Sequence, residues 1–264
     1  MRLVRVDHHG ACATVAGGEG SDMSDETPTV VLVHGAFADA SSWNGVVELL
    51  QSKGVRVTAP ANPLRGIAID SAYIAGVLEE TPAPVLAVGH SYGGAVLTNA
   101  ATNAHNVVGL VYVAAFAPDE GEVLGEVTGG SKDSVLNTAL VPMHYSSSDG
   151  ETAVEFAIDP AKFRDAFAAD LPAEQTAVMA ATQRPVAEAA FSEPSGPPAW
   201  KRVPSWAAVA SADTAAGTDV ILSMAKRAGA TITQLDGSHV IMLSQPEAVT
   251  EVIMQALSEV GSQA

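Results

Sequence analysis

Residues 84–94, Pro84-Val85-Leu86-Ala87-Val88-Gly89-His90-Ser91-Tyr92-Gly93-Gly94, decide the fold. The first half is a short apolar run, the pattern of a strand buried on both faces. The second half is Gly-x-Ser-x-Gly, and residues 92–104 after it read as a helix. A serine in so sharp a strand-to-helix turn is held in strained backbone with its hydroxyl exposed, so bulky neighbours must be absent. Gly89 and Gly93 meet that demand. The helix start also turns N–H groups and a positive dipole end toward the serine. Alone the pentapeptide is a weak signal, and the competing reading of Ser91 is an ordinary helix cap. A phosphate-binding loop is excluded, because Ala95 and Val96 stand where Lys and Ser/Thr are needed.

Working outward, strands and helices alternate. Thr29–Val33 reads as a buried strand, residues 42–51 as a helix capped by Ser42, and residues 55–59 as a strand. A helix over 69–80 and a strand over 107–115 complete this half. After residue 204 the alternation resumes with a strand at 205–211, a helix at 217–228, a strand at 231–235 and a last helix at 246–260. The expectation is an α/β fold with a mostly parallel central sheet and helices on both faces. Its core comprises residues 29–118 and 204–264. Residues 119–203 interrupt the alternation and hold helix-forming stretches at 160–169, 173–182 and 186–191, so a helical cap insertion is expected. Residues 1–28 read as a flexible leader, with a weaker alternative of a hairpin pairing residues 3–6 with 12–16, and Met23 as an alternative start.

Composition narrows the partners. Hydrophobic residues make up 47% of the chain and charged ones 16%, enough apolar material for a large core and too little charge for a disordered chain. The net charge of −17 repels phosphate backbones and anionic membranes, so neither nucleic acid nor a membrane surface is expected as partner. Cys12 is the only cysteine, which excludes an intrachain disulfide and a cysteine-based zinc cluster. The apolar runs after Met1 are short and broken by Asp7, His8 and His9, unlike a signal peptide, and none reaches transmembrane length; a cytoplasmic protein is expected.

A seryl hydroxyl needs a base to remove its proton, and the base needs a third group to orient it. His239 lies in Asp236-Gly237-Ser238-His239, just beyond the last strand, at the sheet edge where open α/β sheets build their sites. The alternative is a surface-loop histidine. His34 and His90 adjoin glycines and shape their loops, and His105 and His144 have no evident setting. The acid must fall between serine and histidine in the chain. Asp213 directly follows the strand at 205–211; Asp119, after the strand at 107–115, competes. Asp219 reads as an early-helix acid. Two backbone N–H donors are needed for an oxyanion, and Ala36 and Tyr92 are the best placed.

Three stretches in order, Val30-Val31-Leu32-Val33-His34-Gly35-Ala36, Gly89-His90-Ser91-Tyr92-Gly93-Gly94 and Gly237-Ser238-His239 with Ser244-Gln245-Pro246-Glu247, span nearly all of residues 29–260. In these the chain resembles the α/β-hydrolase superfamily, and within it the small single-domain bacterial esterase-like branch. The His-Gly-Ala start is also similar to plant methyl esterases and hydroxynitrile lyases. The resemblance implies cofactor-free cleavage of carboxylic esters or lactones, with Ser91 attacking, His239 shuttling the proton and water releasing an acyl-enzyme. It departs from the family after Asp213, where Thr214-Ala215-Ala216-Gly217 replaces a larger residue and an Ile-Pro-like pair. Met143, Tyr145, Phe156, Phe163, Phe167, Met179 and Phe191 either line an apolar pocket or pack the insertion's own core. No basic cluster in the insertion suits an anionic substrate, so small neutral or apolar esters or lactones are expected. A lyase would need a positive residue beside the nucleophile, with Lys201 and Lys132 as possibilities; a non-catalytic ligand-binding relative is the third reading.

Overall fold

A computed structural model describes residues 27–82, 84–147 and 150–262. The expected leader through residue 26, including its hairpin, Cys12 and Met23, lies outside them. The chain runs β1 (Thr29–Val33), a 3₁₀ turn (Ala40–Trp43), α1 (Asn44–Ser52), β2 (Val57–Thr58), α2 (Ile67–Glu80), β3 (Val85–His90), α3 (Tyr92–Ala100) and β4 (Val107–Val113). Within the insertion follow α4 (Leu124–Gly129), β5 (Leu140–Ser146), β6 (Thr152–Ile158), α5 (Phe163–Phe167), α6 (Ala173–Thr182), β7 (Val186–Ala187) and α7 (Ala189–Ser192). The last part is β8 (Ser205–Ala210), α8 (Thr218–Arg227), β9 (Thr231–Leu235), α9 (Ile241–Ser244) and α10 (Pro246–Gly261).

Six strands form one sheet in the order β2-β1-β3-β4-β8-β9, every pair parallel. Every residue of β3 is buried, as its unbroken apolar run requires of a strand covered on both sides. Helices supply the cover, with α1 packed on α10 and α2 on α3. In α10, Val249, Val252, Ile253, Ala256, Leu257 and Val260 recur at three- and four-residue steps and are all buried, while Pro246 starts the helix without losing a bond. Strand order reverses between β1 and β3, so the crevice at their carboxyl ends is the natural site position.

Several boundaries move. The helix beginning at Tyr92 ends at Ala100 rather than 104, and the strand expected over 55–59 is reduced to two residues. Ser42 is not a cap of α1. It is buried inside the 3₁₀ turn, which Asp39 caps by accepting the Ser41 N–H, and its own hydroxyl donates to the Asp39 carbonyl at 2.7 Å. Helix α2 starts at Ile67, where Glu193 from the insertion accepts the Ala68 N–H at 3.0 Å.

The insertion is not purely helical. β5, β6 and β7 form an antiparallel three-stranded sheet, and the residues expected as a helix over 186–191 divide into β7 and α7. Residues 152–158, Thr-Ala-Val-Glu-Phe-Ala-Ile, carry β-branched and aromatic residues and pair with 140–146 along their full length. Pro142 and the exposure of most of β5 mask the strand signal, and β5 is the edge on which a proline is tolerated.

Candidate active site

Ser91 connects β3 to α3 with φ 52° and ψ −123°, a left-handed conformation that costs a non-glycine residue about 1–3 kcal/mol. The turn is over-determined. The Ser91 N–H donates to the Val113 carbonyl, and the Ser91 carbonyl accepts from Gly94 N–H at 3.0 Å and Phe116 N–H at 3.2 Å. A Cβ on Gly89 would stand 2.7 Å from the Gly94 nitrogen, and one on Gly93 would overlap the Val33 carbonyl. Both glycines are therefore required by close backbone approach.

His239 follows β9 in a loop held from two sides. Asp170, in the insertion, accepts the Ser238 N–H at 2.9 Å and also the Ser238 hydroxyl, and Gln245 donates to the Asp236 carbonyl. Burial alone would raise the Asp170 carboxyl, but the bonds from Ser238 hold it below the ordinary aspartate value. The imidazole packs against the rings of His90 and Phe167, with centroids 4.7 and 5.1 Å away.

The structure brings Ser91, His239 and Asp213 into one hydrogen-bonded chain. The Ser91 hydroxyl donates to His239 Nε2 at 2.8 Å, and His239 Nδ1–H donates to Asp213 Oδ2 at 2.8 Å. Asp213 is buried, and its second oxygen accepts the N–H groups of Ala215 (3.0 Å) and Ala216 (2.9 Å). Small residues after Asp213 thus let the backbone fold back onto the carboxylate. Asp119 is elsewhere: its carboxylate accepts from Lys201 Nζ at 2.6 Å and from Glu120 N–H at 2.8 Å. His105 and His144 are exposed.

Ala36, Phe37, Ser91, Tyr92, Phe116, Thr128, Leu136, Phe167, Phe191, Ala215, Ala216 and His239 line a narrow cavity of about 10 Å³. Of the seven aromatic and methionine residues expected either to line a pocket or to pack the insertion, Phe167 and Phe191 face this cavity, Phe163 is buried against Phe167, and Tyr145 lies under the Arg65 guanidinium. Met143 is largely exposed. Neither Lys201 nor Lys132 belongs to the cavity wall. The N–H groups of Ala36 and Tyr92 have no protein acceptor among the described residues. Tyr92 is pinned at its far end, where the phenol donates to the buried Asp70 at 2.8 Å; burial raises both groups above their ordinary values. His90 is fully buried, donates Nε2–H to the His239 carbonyl at 3.1 Å, and is pushed by burial, then by the charge of His239, well below the ordinary histidine value.

Asp170, Asp70, Asn62 and Arg184 were not legible in the sequence. Their partners lie elsewhere along the chain: Asp70 meets Tyr92 22 residues on, Arg184 meets Asn62 122 residues away, and Asp170 and Ser238 are 68 residues apart. No group of three His, Cys, Asp or Glu able to hold a metal occurs among the described residues. Nor, among them, is any helix long and apolar enough to cross a membrane.

Residues 30–252 match the model of the alpha/beta hydrolase family. Among solved structures, the chain is similar to polyneuridine aldehyde esterase (20% identity, 87% of this chain and 99% of that one, TM-score 0.73). It is also similar to a pyrethroid hydrolase from Sphingobium faniae (20% identity, 88% and 97%, TM-score 0.71). A third is tomato methylketone synthase I in complex with 2-tridecanone (19% identity, 89% and 99%, TM-score 0.71). No curated protein matches the chain. With the parallel sheet, the strained serine turn at its switch point and a family match over most of its length, the chain belongs to the alpha/beta hydrolase family.

Proposed function

We propose that this protein is a serine hydrolase that cleaves carboxylic esters or lactones of small neutral or apolar substrates through an acyl-enzyme at Ser91. The observation that carries the reading is the buried hydrogen-bonded chain from Ser91 through His239 to Asp213. Ser91 Oγ attacks the carbonyl carbon while His239 Nε2 takes its proton, and Asp213 stabilises the imidazolium and fixes its tautomer. The carbonyl oxygen becomes an oxyanion and is met by the N–H groups of Ala36 and Tyr92. Collapse expels the alkoxide, which leaves as an alcohol with the proton from His239. Water, deprotonated by His239, then attacks the acyl-enzyme and frees the acid and Ser91.

The walls support this choice of substrate class. Phe116, Leu136, Phe167 and Phe191 are apolar, and no lysine or arginine lines the cavity, which favours a neutral ester over an anionic one. The same lack of a wall lysine weighs against the lyase reading. Similarity in fold to an esterase and to a pyrethroid hydrolase is in keeping with this chemistry.

The test is labelling with a fluorophosphonate probe together with hydrolysis of an ester and lactone panel. Wild type is expected to label at one site and to turn over at least one apolar ester, with both lost in Ser91→Ala. Equal labelling of the two proteins overturns the assignment of Ser91.

A further inference from the structure

We infer that Arg184, carried by the insertion, is a positioning residue that orients the oxyanion-binding N–H of Ala36 through Asn62 and His34, so that seating the insertion completes the site. The inference rests on the proposed role of Ser91 and Ala36 and adds to it a requirement placed outside the cavity.

The link can be followed bond by bond. Arg184 lies between α6 and β7, and its Nη1 donates to the Asn62 carbonyl at 2.9 Å and stands 3.4 Å from His34 Nε2. Its Nη2 reaches the Pro63 carbonyl at 3.5 Å. Asn62 in turn donates its backbone N–H to His34 Nε2 at 2.9 Å and its side-chain amide to the His34 carbonyl at 3.1 Å. Because Nε2 accepts, the imidazole proton resides on Nδ1, which donates to the Gly35 carbonyl at 2.9 Å.

That carbonyl belongs to the peptide unit joining Gly35 to Ala36. The described residues contain no cis peptide, and in a trans unit C=O and N–H point to opposite sides. Holding the carbonyl toward the His34 ring therefore turns the Ala36 N–H the other way, and Ala36 is part of the wall around Ser91. Gly35 packs so tightly that a Cβ there would lie 2.7 Å from the Ser91 Cβ, which leaves little freedom for the peptide except rotation.

His34 and Asn62 are fully buried, and burial holds the His34 imidazole down at about 4, in its neutral form. The loop they belong to has a further tie to the insertion: Leu64, a non-glycine residue at φ 63°, accepts the Ala187 N–H at 3.0 Å. A guanidinium suits this place because its planar fork reaches two successive carbonyls and faces the ring nitrogen without offering it an acceptor.

The experiment compares wild type with Arg184→Met and Arg184→Lys, using p-nitrophenyl acetate as substrate and an alkyl trifluoromethyl ketone as transition-state mimic. Removal of a whole oxyanion donor costs about 100- to 1,000-fold, so a misdirected one is expected to lower kcat by about 10- to 100-fold in Arg184→Met. KM should stay within about 2-fold, ketone affinity should fall in parallel with kcat/KM, and Arg184→Lys should recover part of the loss. A purely structural role would instead lower thermal stability and leave kcat of the folded fraction, and ketone affinity, unchanged; that outcome overturns the inference. If Arg184→Met does not fold, wild-type kcat and ketone affinity in Arg184→Lys overturn it equally. Fluorophosphonate labelling of Ser91 in wild type separates the two levels: without it the proposed function fails, whereas with it and an unaffected kcat only the role of Arg184 fails.

Discussion

At the scale of single residues, the strain at Ser91 and the partner of His239 make separable predictions. Ser91→Gly and Ser91→Ala are both expected to abolish turnover, but only glycine accepts φ 52° and ψ −123° freely. The glycine variant should therefore be the more stable of the two by about 1 kcal/mol, read as the difference in denaturant midpoints. Equal midpoints would mean that the turn is not strained. For the acid, Asp213→Asn should reduce kcat by about 1,000- to 10,000-fold by favouring the wrong imidazole tautomer, whereas Asp119→Asn should leave it within a few-fold. Asp119 is bound to Lys201 and has no bond to His239, so a larger loss at Asp119 in steady-state kinetics would reverse the assignment.

At the scale of elements, the chain declared the strands of its large sheet better than the elements of residues 119–203. β1, β3, β4 and β8 are short apolar runs, and a buried parallel strand leaves just such a mark, so their centres were legible. That Ser91 and Asp213 would meet was legible because each follows such a strand; His239 follows β9, a partly exposed edge strand, and the carboxyl edge of the sheet gathers all three. Helix ends were less so: α2 owes its first turn to Glu193, 125 residues from the N–H it accepts. The β5–β6 pairing was hidden because β5 is an exposed edge with a proline, which local patterning reads as a loop. Phe191, expected from the sequence either to line a pocket or to pack the insertion, is found in the cavity wall. It lines the Ser91 cavity and also an adjoining apolar pocket of about 220 Å³ with Leu140 and Phe156. Phe191→Ala is expected to merge the two and to move the preferred chain length in a series of p-nitrophenyl acyl esters, or of acetate esters with longer alcohols, upward by several carbons. An unchanged optimum in both series would show that Phe191 is not the partition.

At the scale of the whole molecule, two buried histidines tie stability to acidity. His34 is held at about 4 and His90 well below its ordinary value, burial being the first cause for each. In the unfolded chain both return to about 6.5. Between those values the unfolded state binds protons that the fold refuses, so stability falls as pH drops below about 6.5 and levels off only below the folded values. Above about 6.5 both states are neutral and the contribution is flat. Each histidine adds roughly 1.4 kcal/mol of loss per pH unit within its window. Asp70, raised by burial, opposes this trend at the acid end. Denaturant unfolding should therefore give a lower stability at about pH 5 than at about pH 7, with the slope reduced in His34→Gln; a slope unchanged in that variant would remove His34 from the account.

The strands buried on both faces have a price away from the native state. β1, β3 and β4 read Thr-Val-Val-Leu-Val, Val-Leu-Ala-Val-Gly-His and Val-Val-Gly-Leu-Val-Tyr-Val, without a proline or a charged acidic or basic side chain other than the neutral His90. Such segments self-associate once they are uncovered, and a parallel sheet assembled from distant parts of the chain re-forms slowly. Heated solutions should accordingly precipitate rather than refold, with an apparent Tm that rises with scan rate. The working lifetime of this protein is thus set by how rarely the sheet opens, a rate rather than an equilibrium.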